Sequence, residues 1–199
     1  MTRRALHCCM LMLASTLMSH AARAEDLVPE WLTQSRLLAQ QLGTELKAEL
    51  TTVLASTGAT GAVEVCRTRA PDIAAKLSRE SGAIVSRTAL RVRNPANAPD
   101  DLQRAVLEQF ADDLAAGRTE LPLEAAVEIN RGGRIERRYM RAIPMDAMCQ
   151  TCHGPQLAPE VASAIAKSYP ADQATGFEQG QLRGAFSVIW PTTPPAPNR

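Results

Sequence analysis

The chain has 199 residues, 22 Lys and Arg against 21 Asp and Glu for a formal charge of +1, and 45% hydrophobic residues. This is the composition of a globular chain, and the near-neutral balance excludes the basic footprint of a nucleic-acid binder or of a protein held on an anionic membrane surface. Aromatic residues make up only 4%, so the core is expected to be mainly aliphatic.

The first element is a targeting segment. Arg3 and Arg4 form a basic n-region, and residues 5–17 form a mostly apolar stretch too short to span a bilayer as an ordinary helix. Ala22-Arg23-Ala24 reads as an A-x-A cleavage site. Residues 1–24 are expected to leave as a signal peptide, so that the mature chain begins at Glu25 in a bacterial periplasm and keeps no stable membrane span. A retained anchor is the alternative. Cleavage removes His7, His20, Cys8 and Cys9, so His153 becomes the only histidine, and Cys66, Cys149 and Cys152 the only cysteines. It also removes Arg3, Arg4 and Arg23, leaving 19 basic against 21 acidic residues, a formal charge of −2. The 175 residues left when 24 are taken from 199 suit a single domain over 25–190, followed by a Pro-rich tail over 191–199 that is expected to be disordered.

The mature chain opens with a predicted long helix over residues 31–55. Leu38, Leu42, Leu46, Leu50 and Val53 fall on one stripe, which reads as a packing face rather than a cofactor site. Thr57-Gly58-Ala59-Thr60-Gly61 should stop it. A short segment, 62–68, carries Cys66, and Pro71 suits the first turn of a helix over 72–79. This places Cys66 just before a helix N-terminus, where the dipole favours thiolate. Residues 84–93 read as a strand, with Ile84, Leu90 and Val92 on one side and Arg87, Arg91 and Arg93 on the other. A stiff loop, 94–100, ends in a cap for a helix reaching Ala116, with Leu102, Val106, Phe110 and Leu114 on one face and Gly117 closing it. Strands over 124–130 and 134–143 flank Gly132-Gly133, a hairpin signal. A helix over 160–168 and a strand over 182–190, with Phe186, Val188 and Trp190 on one face, complete the set. Hairpin strands with helices before and between them give an α+β fold with a mainly antiparallel sheet.

Between the hairpin and the helix over 160–168 lies Cys149-Gln150-Thr151-Cys152-His153. This C-x-x-C-H is the attachment sequence of c-type haem. Two thiols add across two vinyl groups of one porphyrin, and the next residue presents its imidazole to the iron. A disulfide or half of a zinc site is the other use of such a pair, but a zinc site normally needs four protein ligands and no second Cys pair follows. One motif means one covalent haem c, with Cys149 and Cys152 as the attachment residues and His153 as the proximal iron ligand. For the sixth position, Cys66 is a soft ligand without a disulfide partner, or else a buried structural thiol. Met140 and a lysine are further candidates. Met145 and Met148 lie too near the motif to reach the opposite haem face, and an open five-coordinate site remains possible. Arg183, Arg91 and Arg93 are candidates for the haem propionates, and Tyr139 and Tyr169 for a propionate or the Cys66 sulfur. Solvated arginines and satisfied core tyrosines are equally good readings. Asp72 reads as a first-turn helix acid.

With these residues in view, the chain resembles the single-haem c-type cytochromes that have a PAS-like fold and a cysteine distal ligand, long known only as a domain of unknown function. The resemblance rests on Glu64-Val65-Cys66 with Ala70-Pro71, on the run from Arg87 to Asn97, on Arg138-Tyr139-Met140, on the haem motif with Gly154-Pro155, and on Tyr169-Pro170 and Arg183 to Val188. It implies a PAS-like fold and puts the family's ligand cysteine on Cys66. It further implies a non-enzymatic role as a low-potential electron carrier or a redox or gas sensor, with a redox or signalling protein as partner and a diatomic gas as a possible ligand. A haem enzyme of the thiosulfate or peroxidase type is the alternative. N-terminal sequencing of exported protein is expected to start at Glu25; an intact Met1 on membrane-bound protein would mean an anchored form.

Overall fold

Helix α1 (Glu30–Ser81) is two helical arms joined at one non-helical residue, Gly58, with φ 71° and ψ −171°. In this computed structural model, residues 28–118, 120 and 122–193 are described. The expected signal segment and cleavage site, and the expected tail from residue 194 on, lie outside them. Ion pairs show that the arms fold back on each other: Glu49 meets Arg69 at 3.3 Å and Glu45 meets Lys76 at 3.7 Å. In a straight helix these partners would stand about 30 and 46 Å apart, at ~1.5 Å rise per residue. Gly58 adopts a conformation that essentially only glycine tolerates. At Gly61 a Cβ would lie 2.0 Å from Thr57 Oγ1, so the turn has no room for a side chain there.

The break expected at 57–61 is therefore present, but the second arm begins at once. Residues 62–68 are helical, and Pro71 lies inside the arm rather than opening a helix over 72–79. Cys66 sits more than a turn inside a helix, not before a helix N-terminus. The helix dipole therefore does not single out this thiol. A one-residue reversal leaves almost no trace in hydrophobic periodicity, whereas an interior proline imitates a helix start. Proline here removes only its own N–H and leaves the Arg67 carbonyl without a helical partner.

Four strands form one antiparallel sheet in the order β1-β4-β3-β2: β1 (Ile84–Thr88), β2 (Glu124–Arg131), β3 (Arg134–Pro144) and β4 (Leu182–Thr193). Gly132 and Gly133 both have positive φ, 64° and 87°, as the tight hairpin between β2 and β3 requires. β1 is shorter than the strand expected over 84–93. After Thr88 the chain leaves the sheet, passes a 3-10 turn (Pro95–Asn97) and returns the Asn97 carbonyl to the Ala89 N–H. Its sides are also reversed: Val85 is buried and Ile84 exposed, while Arg93 is buried rather than facing water. β4 continues past Trp190 to Thr193, so residues 191–193 are strand rather than part of the expected tail. Pro191 is accommodated because the β3–β4 register slips between Ile135 and Arg137.

The sheet lies between α1 and α2 (Asp101–Ala115). Ala39 and Leu42 of the first arm and Ile73 and Leu77 of the second bury against Val85, Tyr139 and Val188. Phe186 and Trp190 pack on the same side, as their alternation with Ala185 and Ser187 requires. α2 covers the other face with Leu107 and Phe110 against Met140, Ala142 and Ala185, while Gln103 Nε2 donates to Ser187 Oγ at 3.0 Å. The buried stripe of α2 thus runs through Gln103 and Leu107 as well as the expected Phe110. Asp100 caps this helix in a reciprocal box with Gln103, an arrangement worth about 1 kcal/mol. α3 (Gln150–His153) is a single turn, and α4 (Pro159–Ser168) packs Val161 and Ile165 on Val63 of α1. No helix among the described residues is long and apolar enough to cross a membrane.

Gly58→Ala is expected to destabilise the fold by roughly 1–3 kcal/mol through backbone strain alone, since a Cβ there meets nothing within 4 Å. Denaturant unfolding of the variant against the parent measures it.

Candidate functional site

Where the hydrophobic core under α1 ends, two adjoining cavities of about 330 and 300 Å³ open. Cys66, Arg87, Ile143 and Cys149 wall both of them. Both arms of α1 contribute: Leu46 and Leu50 from the first, Cys66 and Ala70 from the second. The lower part of the leucine stripe is therefore cavity wall as well as packing face. β4 adds Arg183 and Gly184, and Cys149, Cys152 and His153 complete the lining of the second cavity.

The cysteine-histidine segment follows β3 directly. Asp146 caps a 3-10 turn (Ala147–Cys149) by accepting from the Met148 N–H, and that turn runs into α3. A spacing of three places Cys149 and Cys152 on one face of this turn. Both are free thiols, and burial raises the pKa of each. His153 Nδ1 lies 2.6 Å from the Ala174 carbonyl oxygen. Burial, reinforced by Arg183 and Arg93, pushes the imidazole pKa far down. The ring is therefore neutral, Nδ1–H donates to Ala174, and Nε2 keeps its lone pair for a metal.

A strap of backbone holds this histidine. Gly176 N–H donates to Gly154, and Phe177 N–H donates to the His153 carbonyl. Arg93 fastens the strap. Its side chain pairs with Asp172 at 3.1 Å, and its Nη2 also donates to the Cys152 carbonyl at 2.7 Å and to Ala174 at 3.3 Å. Asp172 accepts in addition from the Ala174 N–H. Arg93 is thus committed to positioning Cys152 and Ala174. A single exposed-looking arginine on a presumed strand gave no hint of this.

The other expected site residues divide sharply. Arg183 lines the cavity, and Tyr169 does so with its hydroxyl lacking a partner among the described residues. Tyr139 does not belong to the haem pocket: it is fully buried in the core under α1, and its hydroxyl donates to Glu124 at 2.9 Å. Arg91, expected at a propionate, does not line the cavity either. It is exposed, outside both sets of lining residues, with Nε donating to the Gln173 carbonyl and its guanidinium 4.1 Å over the Phe177 ring. Met140 is buried beneath α2 on the other sheet face and cannot reach the cavity. Met145 packs with Ala174 and Phe177, whereas Met148 lines both cavities. Lys47 stands at the first cavity, paired with Asp146. Asp72 is an exposed mid-helix acid near Arg69. Arg87 was not singled out as a site residue, yet it walls both cavities; only its place in a run of arginines signalled it.

These residues fit a haem better than a bare ion. Among the described residues, no group of three or more His, Cys, Asp or Glu side chains converges to hold a metal. Cys66 instead shares with the two thiols and the imidazole a cavity whose lining also includes Leu50, Ile143 and Met148. Two thiols, one neutral imidazole and unpaired guanidinium groups around an apolar slot match what a porphyrin with vinyl and carboxylate substituents requires.

The class defined by these features is an α+β domain with a helical hairpin over one face of a four-stranded antiparallel sheet and a cysteine- and histidine-walled cavity at its edge. The chain belongs to the Tll0287-like family, which it matches over residues 10–191. Among solved structures it is similar to the crystal structure of the cyanobacterial heme-protein Tll0287, with a TM-score of 0.61 and 26% identity, covering 86% of this chain and 99% of that one. No curated protein matches the chain.

Asp172→Ala strands the buried Arg93 charge. Breaking a buried pair in this way is expected to cost about 3–5 kcal/mol, visible as a lowered denaturation midpoint.

Proposed function

We propose that the chain is an exported single-haem c-type cytochrome of the periplasm, with His153 and Cys66 as the two iron ligands. It would serve as an electron carrier or a redox or gas sensor read by a partner protein. The observation that supports this reading is that Cys149, Cys152 and a neutral His153 with free Nε2 line one cavity together with Cys66. The similarity to a protein described as a heme-protein supports the same cofactor. When bound, haem supplies an iron that gains and loses one electron. The chain's own residues do the rest. Cys149 and Cys152 tether it, His153 is held in one tautomer by Ala174, and Arg93 keeps that carbonyl in place. Leu50, Ile143 and Met148 keep water from the slot.

A non-enzymatic role is the better reading of these walls. The two acids lining the cavity, Glu49 and Asp146, are engaged by Arg69 and Lys47, and the one cavity histidine gives Nδ1–H to Ala174 and, in this reading, Nε2 to the iron. None is free to act as a general base. An electron-transfer or sensing role needs no such base.

Protein purified from a host with c-haem maturation is expected to keep its haem through acid-acetone extraction; complete loss would sink covalent attachment. Cys66→Ala should retain that haem, lose the low-spin thiolate spectrum and raise the midpoint potential, because an anionic donor to ferric iron has gone. An unchanged spectrum and potential would make Cys66 a structural thiol and move the search to Lys47, which lines the first cavity.

A further inference from the structure

Most arginines of the described chain are engaged by an acid, a carbonyl or an aromatic ring, but two at the cavity are not satisfied. Arg87 makes no hydrogen bond or ion pair among the described residues, although it walls both cavities. Arg183 is largely buried, and its Nε has no partner. Its one hydrogen bond is a long contact of 3.4 Å from Nη1 to the Arg91 carbonyl, with the Phe177 ring 5.5 Å away. The second cavity has Arg87, Arg93 and Arg183 among its walls and no Asp or Glu. Arg93 is already neutralised by Asp172. Burial, with Arg87 and Arg93 adding to it, pushes Arg183 down to about 10. Two like charges held at one apolar cavity without counter-charge are strongly unfavourable unless a ligand brings the anions.

We infer that Arg87 and Arg183 form a carboxylate-binding pair that takes the two propionate groups of the bound porphyrin. This rests on the haem reading above and gives it an orientation: carboxylates toward the ends of β1 and β4, vinyl groups toward Cys149 and Cys152. It replaces the expectation for Arg91, which is outside the cavity, and for Arg93, which is committed to Asp172. Guanidinium is suited to the task because it stays charged when buried and presents paired donors to a carboxylate.

The test uses the holoprotein with Arg87→Gln and Arg183→Gln, alongside Arg87→Lys and Arg183→Lys. Both Gln variants are expected to shift the propionate bending bands in resonance Raman spectra. Both should also lower the midpoint potential, since positive charge beside the cofactor is lost; the Lys variants should recover part of the potential. Unchanged bands and potential in both Gln variants, at parental haem content, overturn the pair and leave the cytochrome reading standing. If a Gln variant does not accumulate, its Lys counterpart decides: shifted bands support the pair and unshifted bands overturn it. A parent chain isolated without haem overturns the cytochrome reading instead. The same chain is then titrated with iron-free protoporphyrin IX and with its dimethyl ester, followed by fluorescence. A preference of about tenfold for the free acid, abolished by the Gln substitutions, supports the pair, and equal affinity for acid and ester overturns it.

Discussion

The reversal of α1 at Gly58 is the constraint on which the cavity depends. The two arms must run side by side for Glu45 and Glu49 to meet Lys76 and Arg69 and for Leu42 and Leu77 to share one core. The same folding-back brings Leu50 and Cys66, sixteen positions apart in the chain, to one cavity. A continuous helix would carry Cys66 about 24 Å beyond Leu50, at ~1.5 Å per residue. One residue with a backbone conformation open to glycine thus decides whether the thiol and the cysteine-histidine segment can line one cavity.

The second constraint is the clamp built by Arg93. A short turn such as α3 has little intrinsic stability, since nucleating a helix is unfavourable and four residues make too few bonds to offset it. It is held from outside. Arg93 reaches the Cys152 carbonyl, Asp172 fixes Arg93, and the strap returns Ala174 to His153 and Phe177 to the His153 carbonyl. The histidine is therefore oriented by residues about 20 positions downstream and an arginine 60 upstream. Charge is arranged in the same spirit. The acids near the cavity are matched to bases, Arg93 is matched to Asp172, and the guanidinium groups of Arg87 and Arg183 are left over for a ligand.

Much was legible beforehand. The spacing Cys149-x-x-Cys152-His153 is local chemistry, and no folding is needed to recognise it. The glycine pair at 132 and 133, the Asp100 cap and the alternation of Phe186, Val188 and Trp190 are likewise short-range signals, and each appears in the fold where it was expected. Cys66 was singled out as the spare thiol, and it does line the cavity, but not for the reason of its helix position: it lies inside an arm rather than ahead of one. The leucine stripe was legible as an apolar face, though not as one shared between core and cavity.

What the sequence by itself determined was the α+β class, the antiparallel hairpin and the residue types able to hold a haem, because these depend on neighbours a few positions apart. Only the tertiary structure decided which arginine and which tyrosine matter. Tyr139 and Tyr169 are the same residue type, yet one closes a core beneath α1 and the other faces the cavity. Arg87, Arg91, Arg93 and Arg183 look alike in the chain, and their roles separate by partner: none for Arg87, Phe177 and Gln173 for Arg91, Asp172 for Arg93, an incomplete set for Arg183. Partners of this kind come from distant segments. Whether a charge is solvated, neutralised or left waiting for a ligand is a property of the packed surroundings, which no local pattern encodes.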